Sequence, residues 1–453
     1  MARTPRTPPG SPFVGNVLRF ARDPLRYLDA VRDAYDDPIV RLSGPGGDVY
    51  LVLSPELVRQ VLVDADAERR TRRDGGPGDP GYVKADLRPE LTEPFLGEGL
   101  LNSEGGSWAD QRGRLDPAFY APALRGYVGS IREHTARIAE DWRGEPDRDV
   151  HADMTDLTVR VIAETLLGTE LDAGDVATVE AAMDDLSESF GPSLSRAVLP
   201  SWAPRRRPAG FDRAIEDLDA LAGRIIEGHR TPDPPADVVT TLLAAADAGE
   251  IAERRVRDEV VTLLLAGHET TALVLTYAWF LLSGDESGAT TDRLHEEVDA
   301  LDGPPDWEDL DSLPYTEAVV NESMRLYPPV WALFREPRGD ARLGDYRVPA
   351  GTPLILPQWA IHRDGRHFED PLSFRPERWL ERRPTETAAY FPFGAGPRAC
   401  IGRGFATVEA KLVLATLARE FDVGVHEGKL DLDVAITMRP EGPVGAQVST
   451  RSS

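Results

Sequence analysis

The chain has 453 residues and 77 acidic against 51 basic side chains, so its formal charge of -26 lacks the basic footprint that a nucleic-acid surface requires. Hydrophobic residues at 41% and charged residues at 28% suit a folded globular protein rather than a disordered or fibrous one. A single cysteine excludes an intramolecular disulfide and a multi-thiolate zinc cage. Lysine occurs only at Lys84, Lys411 and Lys429, while carboxylates run along the whole length. That bias suits a halophilic, salt-rich cytoplasm, where screening removes the self-repulsion of a dense carboxylate surface. The first ten residues carry no apolar run of signal-peptide length, so a cytoplasmic protein without a membrane anchor is expected.

A Pro/Gly-rich lead to about Pro12 precedes two alternating apolar segments, 39–42 and 49–53, whose period predicts a hairpin. Residues 75–106 are rich in Gly, Pro and Asp and predict a long loop with a short helix, where pocket walls tend to sit. Helical patterns run from Trp108 to about Gly228, with a break near 192–208. The stretch 251–283 is apolar nearly all round. A membrane span fits its length, but His268 and Glu269 lie mid-helix, where charge is costly in lipid, so a long helix through a core fits better. Another helix is expected after Asp285, ending near Tyr327. Strands follow at 346–348 and 353–356, then a loop-rich stretch to Gly402 and a last helix to about Phe421. With no repeat and no composition break, these patterns predict a single domain over 1–453, mainly α with a minor β subdomain. Its β-rich parts are placed at about 36–56 and 340–395, its helical parts at about 107–330 and 400–421.

The segment Phe-Gly-Ala-Gly-Pro-Arg-Ala-Cys-Ile-Gly at 393–402 puts the lone cysteine, Cys400, after a glycine-rich loop and directly before a helical pattern. A thiol at a helix N-terminus faces the positive end of the dipole and free N–H groups, which favour thiolate. Glycines at 394, 396 and 402 let the backbone approach a flat, bulky partner. The pattern Phe-x-x-Gly-x-Arg-x-Cys-x-Gly resembles the heme-binding signature of the cytochrome P-450 family at every specified position. That resemblance spans nearly the whole chain in family order. It implies the cytochrome P-450 fold, a triangular prism with a long central helix over the heme, and heme b ligated by Cys400, with Phe393, Gly394, Arg398 and Gly402 around it. Glu322 and Arg325, three apart on one helical face, are similar to the family's Glu-x-x-Arg pair, with Arg378 as the third member of a buried ion cluster. Ala266-Gly267-His268-Glu269-Thr270 looks like its oxygen-activation motif. There Ala266 and Gly267 leave room for dioxygen, and Thr270 and Glu269 supply protons. His268, on another face of the helix, is read as structural. Trp108 and Arg112, four apart, are similar to the propionate-binding Trp-x-x-x-Arg, with Arg335 and Arg398 as further propionate contacts.

The resemblance implies a soluble prokaryotic heme-thiolate monooxygenase, expected to be monomeric and without a fused reductase. It would hydroxylate or epoxidise a small hydrophobic substrate with dioxygen and two electrons. Electrons would come from a ferredoxin with its own reductase, docking near Cys400 where Arg114, Arg403 and Lys411 offer positive charge. Substrate contacts are expected from 75–106, 186–210, the Ala266 face, 330–334 and the surroundings of Met438. A peroxide-driven heme-thiolate enzyme, a heme-thiolate isomerase or dehydratase, and a non-catalytic heme sensor or carrier are the rival readings; the Glu269-Thr270 pair speaks against all three.

Overall fold

The computed structural model describes residues 3–11, 15–64, 81–86, 88–191, 207–208, 210–285, 287–426 and 428–451. Most of the expected break at 192–208, and residues 75–80 of the expected loop, lie outside these.

The hairpin expected near the N-terminus is present: β1 (Ile39–Gly44) pairs antiparallel with β2 (Gly47–Val52), Ile39 opposite Val52. β2 runs parallel to β8 (Leu354–Leu356), which pairs with β5 (Leu333–Pro337), and β5 pairs with β3 (Tyr82–Lys84), giving the order β1-β2-β8-β5-β3. β3 lies in the stretch read as loop and helix, because three residues are too short to show a period of two. A second hairpin joins β6 (Ala341–Leu343) to β7 (Tyr346–Val348).

The helical part comprises α1 (Pro89–Leu96), α2 (Gly105–Leu115), α3 (Ala121–Gly144), α4 (Val150–Leu167), α5 (Ala173–Phe190), α6 (Phe211–Gly228), α7 (Val238–Asp247) and the central α8 (Glu253–Ser283). Aspartates start three of them: Asp149, Asp172 and Asp237 accept N–H bonds from the first turns of α4, α5 and α7. α4 stops at Gly168, whose φ of 57° is the left-handed conformation of a helix C-terminus. α8 is long and apolar enough to cross a membrane, yet most of that stretch is buried in protein, much of it against α4. Between Val256 and Phe280 one residue alone is exposed, Ala266.

Two expectations are corrected. The single helix ending near Tyr327 is two, α9 (Ala289–Asp299) and α10 (Pro314–Leu326), because Gly303, Pro304 and Pro305 cannot continue a helix. The β-rich part also extends past the final helix α11 (Arg403–Glu420). There β12 (Gly445–Thr450) lies between β4 (Asp147–Asp149) and β9 (Phe421–Val425), and β10 (Leu432–Val434) pairs with β11 (Met438–Pro440). The Tyr277 hydroxyl donates to the Met438 carbonyl and ties β11 to α8.

Candidate active site

The cysteine loop closes on itself before α11 begins. The Cys400 N–H donates to the Phe393 carbonyl at 2.8 Å, and the Gly394 N–H donates to the Phe391 carbonyl at 2.9 Å. Gly394 and Gly396 have φ of 68° and 71°, and a Cβ on Gly396 would stand 2.1 Å from the Leu62 carbonyl oxygen. Gly402 differs: its φ is -82°, and a Cβ there would meet its neighbours at ordinary contact distance. Within the protein, close backbone approach thus requires glycine at 396, while at 394 it is the left-handed φ that does. Phe393 is half-buried, with the Arg403 guanidinium 5.8 Å from its ring centre.

Cys400 is exposed, yet protein packed around it pushes its thiol pKa up. Cys400 thus keeps solvent access while standing deep among protein atoms. The Gly402 N–H, Arg112 and Arg403 pull the other way and are outweighed by desolvation, so the expected thiolate at the helix start is not favoured by the helix alone. A coordinating cation ionises such a thiol, releasing its proton.

On α8 the accessible positions of the buried middle are Ala266, exposed, and Gly267 and Thr270, half-buried, with Ala266 and Thr270 one turn apart on one face. The Thr270 hydroxyl donates to the Ala266 carbonyl at 3.0 Å. Gly267 also has a packing role: a Cβ there would stand 2.6 Å from Ile162 Cδ1, so its smallness lets α4 approach α8. His268 is buried with Nδ1 2.6 Å from the Leu264 carbonyl, and burial lowers its pKa to about 4, which keeps it neutral and structural. Glu269 turns away from Thr270, since successive helical residues point about 100° apart. Its Oε2 accepts from the Thr437 hydroxyl at 2.9 Å and its Oε1 lies 3.9 Å from Arg439, which bonds Asp184 at 2.9 Å. Burial raises the Glu269 pKa, against Arg439 and Thr437. These two partners come from the β10–β11 hairpin; the sequence pointed there only through neighbouring Met438.

A cluster of cations lies beside the loop. Arg398 bonds the Ser103 carbonyl, pairs with Glu104 at 3.0 Å and stacks 4.8 Å from the centre of the half-buried Trp108 ring. Arg112 bonds the Ala399 carbonyl at 2.8 Å and Asp116 at 2.6 Å. Arg335 donates to the Phe334 carbonyl and stands opposite Lys84 across β5 and β3. Lys84, given no role by the sequence reading although it is one of three lysines, donates from Nζ to the Leu101 carbonyl at 2.7 Å. Burial first, and then Arg335 and Arg398, lower its pKa to about 8. A lysine whose charge is disfavoured by two neighbouring guanidinium groups suits a site for a ligand bearing two carboxylates, as heme does. Replacing Lys84 by methionine is expected to speed heme transfer to apomyoglobin about fivefold, equivalent to ~1 kcal/mol for a partly exposed charged contact. A change under twofold would exclude Lys84 from the propionate contacts.

Beneath the site, Glu322 and Arg325 on α10 are both fully buried and paired at 2.8 Å, and Arg378 joins Glu322 at 3.0 Å. Lys411 departs from expectation. It is buried and bonds Glu317 at 2.8 Å and the Leu310 carbonyl at 2.7 Å, so it holds α11 to α10 instead of offering charge to a partner. Arg114 pairs with Glu250 at 3.0 Å, while Arg403 is exposed.

The sequence profile of the cytochrome P-450 family matches residues 5–444. The chain belongs to the cytochrome P-450 family. Its cofactor is accordingly heme b, and it is a cytochrome P-450 monooxygenase, as the names of its relatives also indicate. Cyclooctatin synthase of Streptomyces melanosporofaciens is 37% identical, the match covering 91% of this chain and 88% of that protein. Cyclooctat-9-en-7-ol 5-monooxygenase of the same organism is 34% identical over 92% and 88% of the two chains. Pentalenene oxygenase of Streptomyces avermitilis is 31% identical over 93% and 91%. The crystal structure of CYP175A1 from Thermus thermophilus superposes with a TM-score of 0.75 at 29% identity, covering 98% of this chain and all of that one. The cytochrome P-450 fold expected from the cysteine loop is thus the fold observed.

Proposed function

We propose that this cytochrome P-450 hydroxylates or epoxidises an unsaturated cyclic hydrocarbon or its alcohol, using dioxygen and two electrons from a separate ferredoxin and its reductase. The reading is carried by one observation: on an otherwise buried central helix, the Ala266–Thr270 face is open, and Cys400 likewise keeps solvent access. The substrate class is supported by the names of the relatives, which carry cyclooctat-9-en-7-ol and pentalenene. In this reading the heme lies between that face and the cysteine loop, with Cys400 as iron ligand and Trp108, Arg112, Arg335, Arg398 and Lys84 around its propionates. When bound, heme supplies dioxygen binding and reductive activation, with the thiolate favouring O–O cleavage.

The protein's own part is orientation and proton control. Thr270 Oγ1 holds its proton toward the Ala266 carbonyl and releases it to a guest in the cleft by rotating about χ1. Glu269 has a pKa raised by burial, so its carboxylate takes and returns a proton nearer neutrality than an exposed glutamate does. Reaching Thr270 requires it to leave Thr437, and Arg439 is held in readiness by Asp184 and, at 3.8 Å, Asp433. In this reading the apolar pocket walls come from 81–86 and 88–106, the end of α5, 330–334 and the segment around Met438, whose own side chain is buried in the core. Exposed Arg403 at the start of α11 supports a ferredoxin face there, and the carboxylate-rich surface supports a monomer working in a salty cytoplasm.

Thr270→Val is expected to cut product formed per dioxygen consumed by about a hundredfold, the lower end of what a positioned proton donor contributes, while hydrogen peroxide release rises. Glu269→Gln should act in the same direction with a larger solvent deuterium isotope effect. The measurement is product and peroxide per electron, after a panel of cyclic terpene hydrocarbons and alcohols has been screened for spin-state shifts. Unchanged coupling in both variants would remove the proton-delivery roles, and full activity with peroxide alone would favour the peroxide-driven alternative.

A further inference from the structure

The segment 97–103, between α1 and α2, lies as a strap across α8 one turn before the Ala266 face. The Glu98 N–H donates to Asp258 Oδ2 at 2.9 Å, and the Leu100 N–H donates to Glu259 Oε2 at 3.0 Å. The fit leaves no slack. Gly97 has a φ of 50°, and a Cβ on it would stand 2.2 Å from the Asp258 carboxylate; one on Gly99 would stand 2.3 Å from Thr262 Oγ1. Arg255 of α8 pairs with Glu98, and Arg257 donates to the Phe95 carbonyl at 3.1 Å. At its far end the strap is held by Lys84 at the Leu101 carbonyl and by Arg398 at the Ser103 carbonyl. Thr262 and Ala266 are four apart, so the strap crosses the helix face that opens onto the cleft.

Glu259 stands out among these anchors. It is fully buried, its Oε1 has no hydrogen-bond partner among the described residues, and the Thr262 hydroxyl beside it has none either. A buried carboxylate with half its bonding capacity unused is costly when charged. We propose that Glu259 is a positioning residue that latches the strap over the substrate cleft and loosens it as the pH rises. The inference rests on reading the Ala266 cleft as the substrate pocket.

The charged groups around the latch are Arg255, Arg257 and Asp258 on α8, Glu98 on the strap, and Asp219 of α6, which pairs with Arg257. Burial raises the docked Glu259 from 4.5 to about 7, opposed by the Leu100 N–H and Arg255 and assisted by Asp258. Lifting the strap admits water and returns the group toward its ordinary value. Docking therefore binds a proton: it is tightest below pH 4.5, weakens as the pH climbs to about 7, and levels off above that.

The test uses the heme-loaded protein at pH 5.5 and pH 8, wild type and Glu259→Gln. Two quantities are measured: the hydrogen-exchange protection factor of the Leu100 amide, and the bimolecular rebinding rate of carbon monoxide after photolysis of the reduced protein. In the wild type, protection is expected to fall about 25-fold between the two values while rebinding accelerates. Glutamine keeps an acceptor for the Leu100 N–H and stays neutral, so the variant should hold the strap closed with both quantities flat. Wild-type protection that ignores pH, or a variant that follows the wild-type pH dependence, overturns the latch. Protection that falls while rebinding stays constant overturns the strap as a wall of the cleft. Neither measurement needs turnover, so failure here is distinct from failure of the proton roles of Thr270 and Glu269.

Discussion

Replacing Cys400 by histidine is expected to leave a folded, heme-containing protein whose reduced, carbon monoxide-bound Soret band moves from the strongly red-shifted position of thiolate ligation to the shorter wavelength of imidazole ligation. The fold should survive because the loop is closed by the Cys400 backbone N–H on the Phe393 carbonyl and by the left-handed turns at Gly394 and Gly396, none of which involves the sulfur. Turnover is expected to drop by more than about a hundredfold, equivalent to ~3 kcal/mol of barrier, since the thiolate's electron donation favours O–O cleavage. The spectra should be taken on dithionite-reduced protein in high salt, with Cys400→Ala alongside. A red-shifted band persisting in either variant would show that another residue ligates the iron. Because burial raises the thiol pKa in the free chain, heme loading should also release a proton, visible as faster loading at higher pH.

The second large effect concerns stability. Glu322 receives Arg325 at 2.8 and 2.9 Å, Arg378 at 3.0 Å, the Trp379 indole at 2.9 Å and the Arg375 N–H at 3.0 Å. Arg325 additionally donates to the carbonyls of His362, Pro371 and Ser373. One carboxylate thus fixes α10 against the segment that leads to the cysteine loop. Glu322→Ala strands a fully buried guanidinium and should cost about 3–5 kcal/mol, enough to prevent accumulation of folded, heme-loaded protein at 37 °C. The comparison is Glu133→Ala, which removes an exposed partner of Arg137 at helical spacing and should cost less than ~0.5 kcal/mol. Urea denaturation followed by tryptophan fluorescence distinguishes them; similar midpoints would show that the cluster does not hold the fold.

Much of the site could be read along the chain because its chemistry depends on local order. The loop before α11 needs glycine where φ is positive and a cysteine at the helix start. The α10 pair needs three-residue spacing, and the open face of α8 needs two small or hydroxyl residues four apart. Such constraints act within one or two turns of backbone, so they leave a fixed spacing in the sequence. The helices showed themselves for the same reason, through periodic apolar faces and aspartate starts.

What the sequence could not settle involves groups that meet only after folding. The three-residue strands carry too few residues for a period, so β3 appears only through pairing with distant β5, and β10 and β11 only through pairing with each other. The sequence by itself determined the family, the buried ion cluster and the long central helix, and it nominated Cys400 as the iron ligand. The tertiary structure alone decided that Gly267 makes room for Ile162, that Lys411 is spent on Glu317, that Lys84 stands among the cations beside the cysteine loop, and that Glu269 answers to Thr437 and Arg439. The physical reason is that a side chain's partners, burial and therefore its charge are set by neighbours remote in sequence, which no local pattern encodes.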